Sequence, residues 1–204
     1  MIIKDIGGQV ASVWEGLRPV TRKMLVRALQ STSSQPNSQG PKFQYDAHAD
    51  WEVSRLLTAL DERSRSDEVK NDGSALTEIS QLARTCVRVL ETQTASAEVF
   101  IQLATRAIQA NDYDHLDKLG DLLSQRFSAS EIAEIIRQTE LPQIRAIAYE
   151  TLAMMHISSV VPLLEDPLYA GIAASSLEQR AFEFESEEAR AILERFDAEN
   201  ERSE

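Results

Sequence analysis

Apolar residues recur at spacings of three and four along most of the chain, which is the period of an amphipathic α-helix. Residues 75–92 and 97–110 are predicted helices on this basis. Helix-start signals follow at Asp112, at Ser128 with Glu131, at Pro142 and at Ser186. Because the intervening turns are short, neighbouring helices are expected to be antiparallel. The pattern predicts an all-α fold of antiparallel helix pairs forming a short right-handed superhelix, with a compact multi-helix bundle as the alternative.

Charge and composition divide the chain into four predicted parts. Residues 1–30 form a basic head with five Lys or Arg residues and two acids. Residues 31–42 contain two prolines, a glycine and no large apolar side chain. They bury too little to offset their ordering entropy and are predicted to be a flexible linker. Residues 43–198 form the predicted helical domain, and residues 199–204 form an acidic tail.

The head is predicted to form two short helices, because apolar residues recur from Ile6 to Leu17 and Pro19 then starts a second segment. Four interpretations stay open: docking in a partner's groove, contact with an anionic membrane surface, folding back on the acidic tail, and packing on the helical domain itself. We predict a tethered docking element. Its candidate docking residues are Trp14, Arg18, Arg22, Lys23 and Arg27.

The overall composition narrows the class of protein. The 204 residues carry a formal net charge of −12, which repels phosphate backbones and disfavours nucleic acid as a main partner. No apolar run approaches the roughly 20 residues of a membrane-spanning helix, and no signal-peptide pattern opens the sequence. The single cysteine, Cys86, lies on an apolar stripe and is predicted to fill the core. We therefore expect a cytoplasmic location.

Local signatures of catalysis are missing from the sequence. The motifs GxxxxGKS/T, GxGxxG, GxSxG and HExxH do not occur, so phosphate-loop, dinucleotide, serine-hydrolase and zincin chemistry have no local support. His48 is interpreted as part of a solvated helix start, His115 as a polar residue at a helix N-terminus, and His156 as a cap at a helix C-terminus. No catalytic, cofactor-binding or metal-binding residue is predicted, and no cofactor is expected.

Residues 141–152 resemble the second helix of a HEAT repeat, in which an aliphatic residue and Arg are followed by Ala and then Leu. The residues that carry the resemblance here are Ile144, Arg145, Ala148 and Leu152. The resemblance implies an α-solenoid of the HEAT or armadillo type, in which each repeat packs on its neighbours and partners bind on a groove or face.

The resemblance extends over residues 130–184. Residues 158–166 look like a first HEAT helix with its acidic turn, and Ala173 and Leu177 then stand 25 positions after the corresponding residues of the preceding unit. One position departs from the pattern, since Ala170 stands where the repeat has Arg.

Together these features predict a non-catalytic protein–protein interaction module, an adaptor or scaffold whose partner is another protein. The alternative is a HEAT-like accessory enzyme or lyase-type protein that handles a small ligand or prosthetic group. A deep apolar pocket lined by Tyr149, His156 or Tyr169 would favour that alternative.

Overall fold

The computed structural model describes residues 7–31 and 45–200. Most of these residues are helical and no strand occurs among them, so the all-α prediction is confirmed. The predicted linker lies outside the described residues apart from residue 31, and so does the predicted tail from residue 201 onward. The chain divides into two compact units, unit 1 (Met1–Thr94) and unit 2 (Ala95–Glu204).

Unit 1 is built on two long helices that pack against each other and carry the shorter ones. α3 and α5 form the centre, α1 packs on α3, and α2 packs mainly on α5. Cys86 is completely buried in α5, as the sequence predicts. The bounds are α1 (Gly8–Gly16), α2 (Pro19–Ser31), α3 (Ala47–Ser64), α4 (Asp67–Lys70) and α5 (Gly73–Gln93).

The head lies on the rest of unit 1 through its apolar stripe. Val10, Leu17 and Leu25 are 0%, 4% and 0% exposed. An apolar stripe that finds an apolar surface on its own chain is stabilised by burial. The arrangement is the one that the self-packing interpretation of the head predicts.

One helix start in unit 1 differs from the predicted one. The helix predicted over residues 75–92 starts at Gly73, because the Asp72 carboxylate accepts hydrogen bonds from the Ser74 and Ala75 amides, at 3.0 and 3.1 Å. Aspartate is among the preferred N-cap residues, so the helix gains two residues. The charged segment 61–73 contains the end of α3 and the short α4, which Val69 anchors in the core at 2% exposure.

Unit 2 consists of helices that pack in sequential pairs. α6 packs on α7, α8 on α9 and α11 on α12, while α6 also packs on α8, α7 on α9 and α9 on α11. Residues 158–166 are not one regular helix, since they span a short helix and a 3-10 helix. The bounds are α6 (Ala97–Gln109), α7 (Tyr113–Arg126), α8 (Ala129–Gln138), α9 (Pro142–Met154), α10 (Ile157–Val160), the 3-10 helix (Val161–Glu165), α11 (Ala170–Glu183) and α12 (Glu187–Asn200).

Glu131 shows how a local sequence signal acquires a tertiary role. In a complete capping box its carboxylate would accept from the Ser128 amide. The Ser128 hydroxyl does accept from the Glu131 amide at 3.3 Å, but the Glu131 carboxylate accepts from the Ala97 amide, 3.0 Å away at the start of α6. It therefore satisfies an N-terminal amide of another helix and links α8 to α6.

The apolar content of α9 and the segment that follows bears on membrane insertion. Among the described residues, no single helix is long and apolar enough to cross a membrane. Pro142–Met154 and Ile157–Glu165 pass the same length and composition test as a pair, but they are bent by 119° at the break between them.

Glu185 occupies a conformation that favours glycine. It lies between α11 and α12 with φ of 52°, in the left-handed region. We expect Glu185→Gly to raise the free energy of unfolding of unit 2 by about 0.5–1 kcal/mol, because relief of the side-chain clash exceeds the added entropy of the unfolded chain. Urea denaturation followed by circular dichroism measures this change in the free energy of unfolding. Asn111→Gly, at φ of 53°, is the control and should gain less because Asn tolerates this region. A lower midpoint for Glu185→Gly would contradict the expectation.

Candidate functional site

A buried carboxylate joins the head to α3 in unit 1. Glu52 is 2% exposed and accepts hydrogen bonds from the Arg18 amide at 2.6 Å, from Arg18 Nε at 3.0 Å and from the Thr21 hydroxyl. The Arg18 guanidinium also donates to both carboxylate oxygens of Asp46, at 3.0 and 2.7 Å. Arg18, one of the predicted docking residues, is thus engaged within its own unit.

The protonation of this network follows from its hydrogen bonds. Burial alone raises the pKa of Glu52, but the bonds from Thr21 and Arg18 outweigh burial and leave that pKa below its usual value. The bond from Arg18 holds the pKa of Asp46 well below its usual range, and both acids raise the pKa of the Arg18 guanidinium. All three groups are charged at neutral pH. These charges are paired with one another and hold the head on α3.

A second buried acid in α3 has other partners. Asp50 is 8% exposed, accepts from the Tyr45 hydroxyl at 2.7 Å and shares a side-chain hydrogen bond with Thr94. Burial raises the pKa of Asp50 in spite of these bonds, and burial together with the bond to Asp50 raises the pKa of Tyr45. The start of α3 was interpreted as solvated, which fits His48 but not this residue. The bonds of Asp50 join the start of α3 to the end of α5, a structural role.

Three of the predicted docking residues come together on α2. Arg22, Lys23 and Arg27 line a shallow concavity of about 560 Å³ beside Val26, which is 40% exposed. Trp14 lies on α1 and is half-buried. The structure therefore groups three of the five candidates and separates the other two from them, and docking through the head stays a prediction.

A groove of about 730 Å³ lies between α7 and α9 in unit 2. Each helix contributes residues at positions i, i+3, i+4 and i+7, so one face of each helix forms one wall. The lining residues are Asp117, Gly120, Asp121 and Ser124 from α7, Ile147, Glu150, Thr151 and Met154 from α9, and Met155, His156 and Ser159 beyond the end of α9.

Gly120 explains why the two walls approach each other closely. A Cβ atom at this position would lie 3.2 Å from Cγ2 of Ile147, closer than ordinary van der Waals contact. Glycine inside a helix costs about 1 kcal/mol relative to alanine, so the residue is unfavourable for α7 taken alone. The missing side chain lets α7 pack closely on α9 at this point.

A side chain of α11 holds the turn at the far end of the groove. Arg180 donates to the carbonyl oxygen of Ala153 at 3.0 Å and to that of Met155. These carbonyls at the end of α9 have no partner within their helix, so the guanidinium satisfies them and holds the turn. His156 was expected to cap the end of α9. It instead precedes α10 as its N-cap residue, exposed at the end of the groove, and Arg180 performs the capping.

The groove combines exposed acids with one exposed thioether, that of Met154. Asp117, Asp121 and Glu150 are exposed, and among the described residues that line the groove none is lysine or arginine. The Met154 side chain is 66% exposed. Within the part of the chain that the structure describes, no group of three or more His, Cys, Asp or Glu side chains is placed to hold a metal ion.

The tyrosines named for a ligand pocket do not line the groove. Tyr169 donates its hydroxyl to Glu134 at 2.9 Å, and Arg137 donates to the same carboxylate at 2.7 and 2.5 Å. The bonds from Arg137, with smaller contributions from Gln138 and Tyr169, lower the pKa of Glu134 to about 2. Of the three rings considered, only His156 is a lining residue.

The sequence does not reveal this groove, because its carboxylates belong to helix faces that look solvated when each helix is read alone. The signal that could have found it is Gly120, a glycine inside a strong helical pattern. Its position indicates close approach of another element but does not say which one. No family model matches the chain, and neither the curated proteins nor the solved structures include a significant match to it.

Proposed function

We propose that the protein is a non-catalytic protein–protein interaction module, an adaptor or scaffold, and that the groove between α7 and α9 is its binding surface. The observation that carries the proposal is the pair of facing helix stripes that form the groove, one of which includes the Met154 side chain at 66% exposure. Exposed apolar groups rimmed by polar ones are typical of surfaces that a partner covers.

The packing of unit 2 supports a binding role for this face. Its helices form sequential pairs, and α7 and α9 are neighbours from successive pairs. In stacked helical repeats, neighbouring helices of this kind build the extended surface that partners use. The proposal includes the finer architecture implied by the HEAT-like residues, a short right-handed superhelix.

The size of the groove does not by itself decide between a protein and a small molecule. A volume of about 730 Å³ falls within the range of small-molecule sites. The exposure of its lining favours a protein, because small-molecule sites enclose most of their ligand's surface. Here Asp117, Asp121, Glu150 and Met154 are all exposed, so a bound small ligand would keep much of its surface in water.

Met154→Asp is expected to weaken partner binding by about tenfold or more without unfolding unit 2. Replacing an exposed methionine within an interface with a charge leaves the core intact but removes buried apolar contact. The measurement is quantitative capture of proteins from the source cell on the full chain and on the variant. Circular dichroism melting confirms that both are folded.

Phe182→Asp is the matched control, because Phe182 is an apolar residue of unit 2 that is 87% exposed on α11, outside the groove lining. The same proteins should be retained by this variant as by the unchanged chain. Loss of binding in Phe182→Asp alone would move the surface to α11. Recovery of a small ligand and no protein would favour the accessory-enzyme alternative.

A further inference from the structure

The spacing of the groove residues matches the way one helix receives another. Both walls present residues at i, i+3, i+4 and i+7, and the two helices approach each other closely where Ile147 packs against Gly120. A helix that enters such a groove contacts it through its own side chains at the same spacing. An extended strand would need unpaired backbone groups at a sheet edge, and the described residues contain no strand.

The chemistry of the lining selects the polarity of that helix. Ile147, Met154 and Met155 supply the apolar contact, and methionine adapts to side chains of different shape. Exposed carboxylates stand on both walls, Asp117 and Asp121 on α7 and Glu150 on α9. An acidic partner, a nucleic acid or an anionic membrane would be repelled by them, whereas lysines and arginines beside an apolar stripe would be attracted to both walls.

We infer that the occupant of the groove is a basic amphipathic α-helix of a partner protein, with its apolar stripe on Ile147 and Met154 and its cations against the carboxylates of α7 and α9. This inference rests on the proposed function and gives it a partner class. The apolar stripe provides the affinity, and the acids set the charge of the accepted helix.

Two synthetic helices test the partner class directly. One is a fluorescein-labelled amphipathic peptide of leucine and lysine, and the other has glutamate in place of every lysine. We expect the lysine helix to bind the full chain in a fluorescence anisotropy titration and the glutamate helix to bind at least about tenfold more weakly, because unlike charges attract across the groove rim and like charges repel. No binding of the lysine helix, or equal binding of both, would overturn the inference.

Two charge-matched triple variants test the location. Asp117→Asn, Asp121→Asn and Glu150→Gln together remove the three groove carboxylates. Glu178→Gln, Glu194→Gln and Asp197→Asn remove three exposed carboxylates of unit 2 outside the groove lining, with the same change in net charge. The groove triple should weaken the lysine helix by about tenfold and the control triple by less than about threefold, since salt screens exposed charges that do not contact the bound helix. Equal weakening by both triples would overturn the inference.

The outcome separates this inference from the proposed function. If the lysine helix fails to bind while Met154→Asp still loses a cellular partner that Phe182→Asp retains, the partner class is wrong and the interaction module stands. If Met154→Asp also retains every partner, the groove is not the binding surface and both proposals fail. Melting curves of the triple variants show that each compares folded protein.

Discussion

Deletion of residues 1–30 should lower the free energy of unfolding of unit 1 by about 5 kcal/mol or more, which is comparable to the whole stability of many domains. Val10, Leu17 and Leu25 are each at most 4% exposed, and full burial of an aliphatic side chain contributes roughly 1.5–3 kcal/mol. The deletion also leaves Glu52 without the donors on Arg18 and Thr21. A head that only docks on a partner would leave stability unchanged.

Hydrogen exchange measured by mass spectrometry suits this deletion, because it reports on each unit separately. We expect amides of α3 and α5 to lose protection, while amides of α8 and α9 in unit 2 keep theirs. The double substitution Val20→Ser and Val26→Ser is the control, since both residues lie on α2 at 40% exposure and should change stability by no more than about 0.5 kcal/mol. Unchanged protection of α3 and α5 would show that the head is a separate docking element.

The helices themselves are well predicted from local pattern. α6 was expected over residues 97–110 and spans Ala97–Gln109, and Pro142 and Ser186 stand at the starts where they were placed. These features depend on residues within a few positions of one another. Spacing and capping chemistry are therefore enough to predict them.

The polar networks and the groove could not be predicted in the same way, because their partners are distant in sequence. Arg18 and Glu52 are 34 positions apart. The spacing gives one hint, since Glu52 stands three positions after Ala49 and four before Leu56 and so lies on the buried stripe of α3. An acid on an apolar stripe predicts that its carboxylate is buried with a polar partner, but the pattern does not identify that partner.

The same limit applies to the groove. Asp121 and Glu150 belong to faces that look solvated in each helix, and only the packing of α7 on α9 brings the two together. Local rules predict which residues are helical. Which helices become neighbours depends on the whole packing arrangement.

Glu52→Gln is expected to lower the free energy of unfolding of unit 1 by about 2–3 kcal/mol at neutral pH, because an amide cannot accept all the bonds that the carboxylate accepts and leaves a charged guanidinium partly unpaired. Its neighbour Asp50 offers the matched control. Asp50→Asn keeps a carbonyl oxygen that can accept from the Tyr45 hydroxyl and removes a charge that burial disfavours. We expect its stability at neutral pH to equal or exceed that of the unchanged chain.

The pH dependence distinguishes the two acids, because their pKa values move in opposite directions on folding. The folded pKa of Glu52 is lowered, so its contribution is present above the unfolded value of about 4.3 and is lost as pH falls through the folded pKa. The deficit of Glu52→Gln should therefore shrink in acid. The folded pKa of Asp50 is raised, so the unchanged chain loses stability as pH rises from the unfolded value of about 3.9 through the folded pKa. The advantage of Asp50→Asn should grow over that same rise.

Urea denaturation at a series of pH values between about 3 and 8 measures both differences across the window set by these pKa values. A deficit of Glu52→Gln that does not change with pH would mean that its carboxylate is protonated or unpaired in the folded protein, and the proposed link between the head and α3 would fail with it.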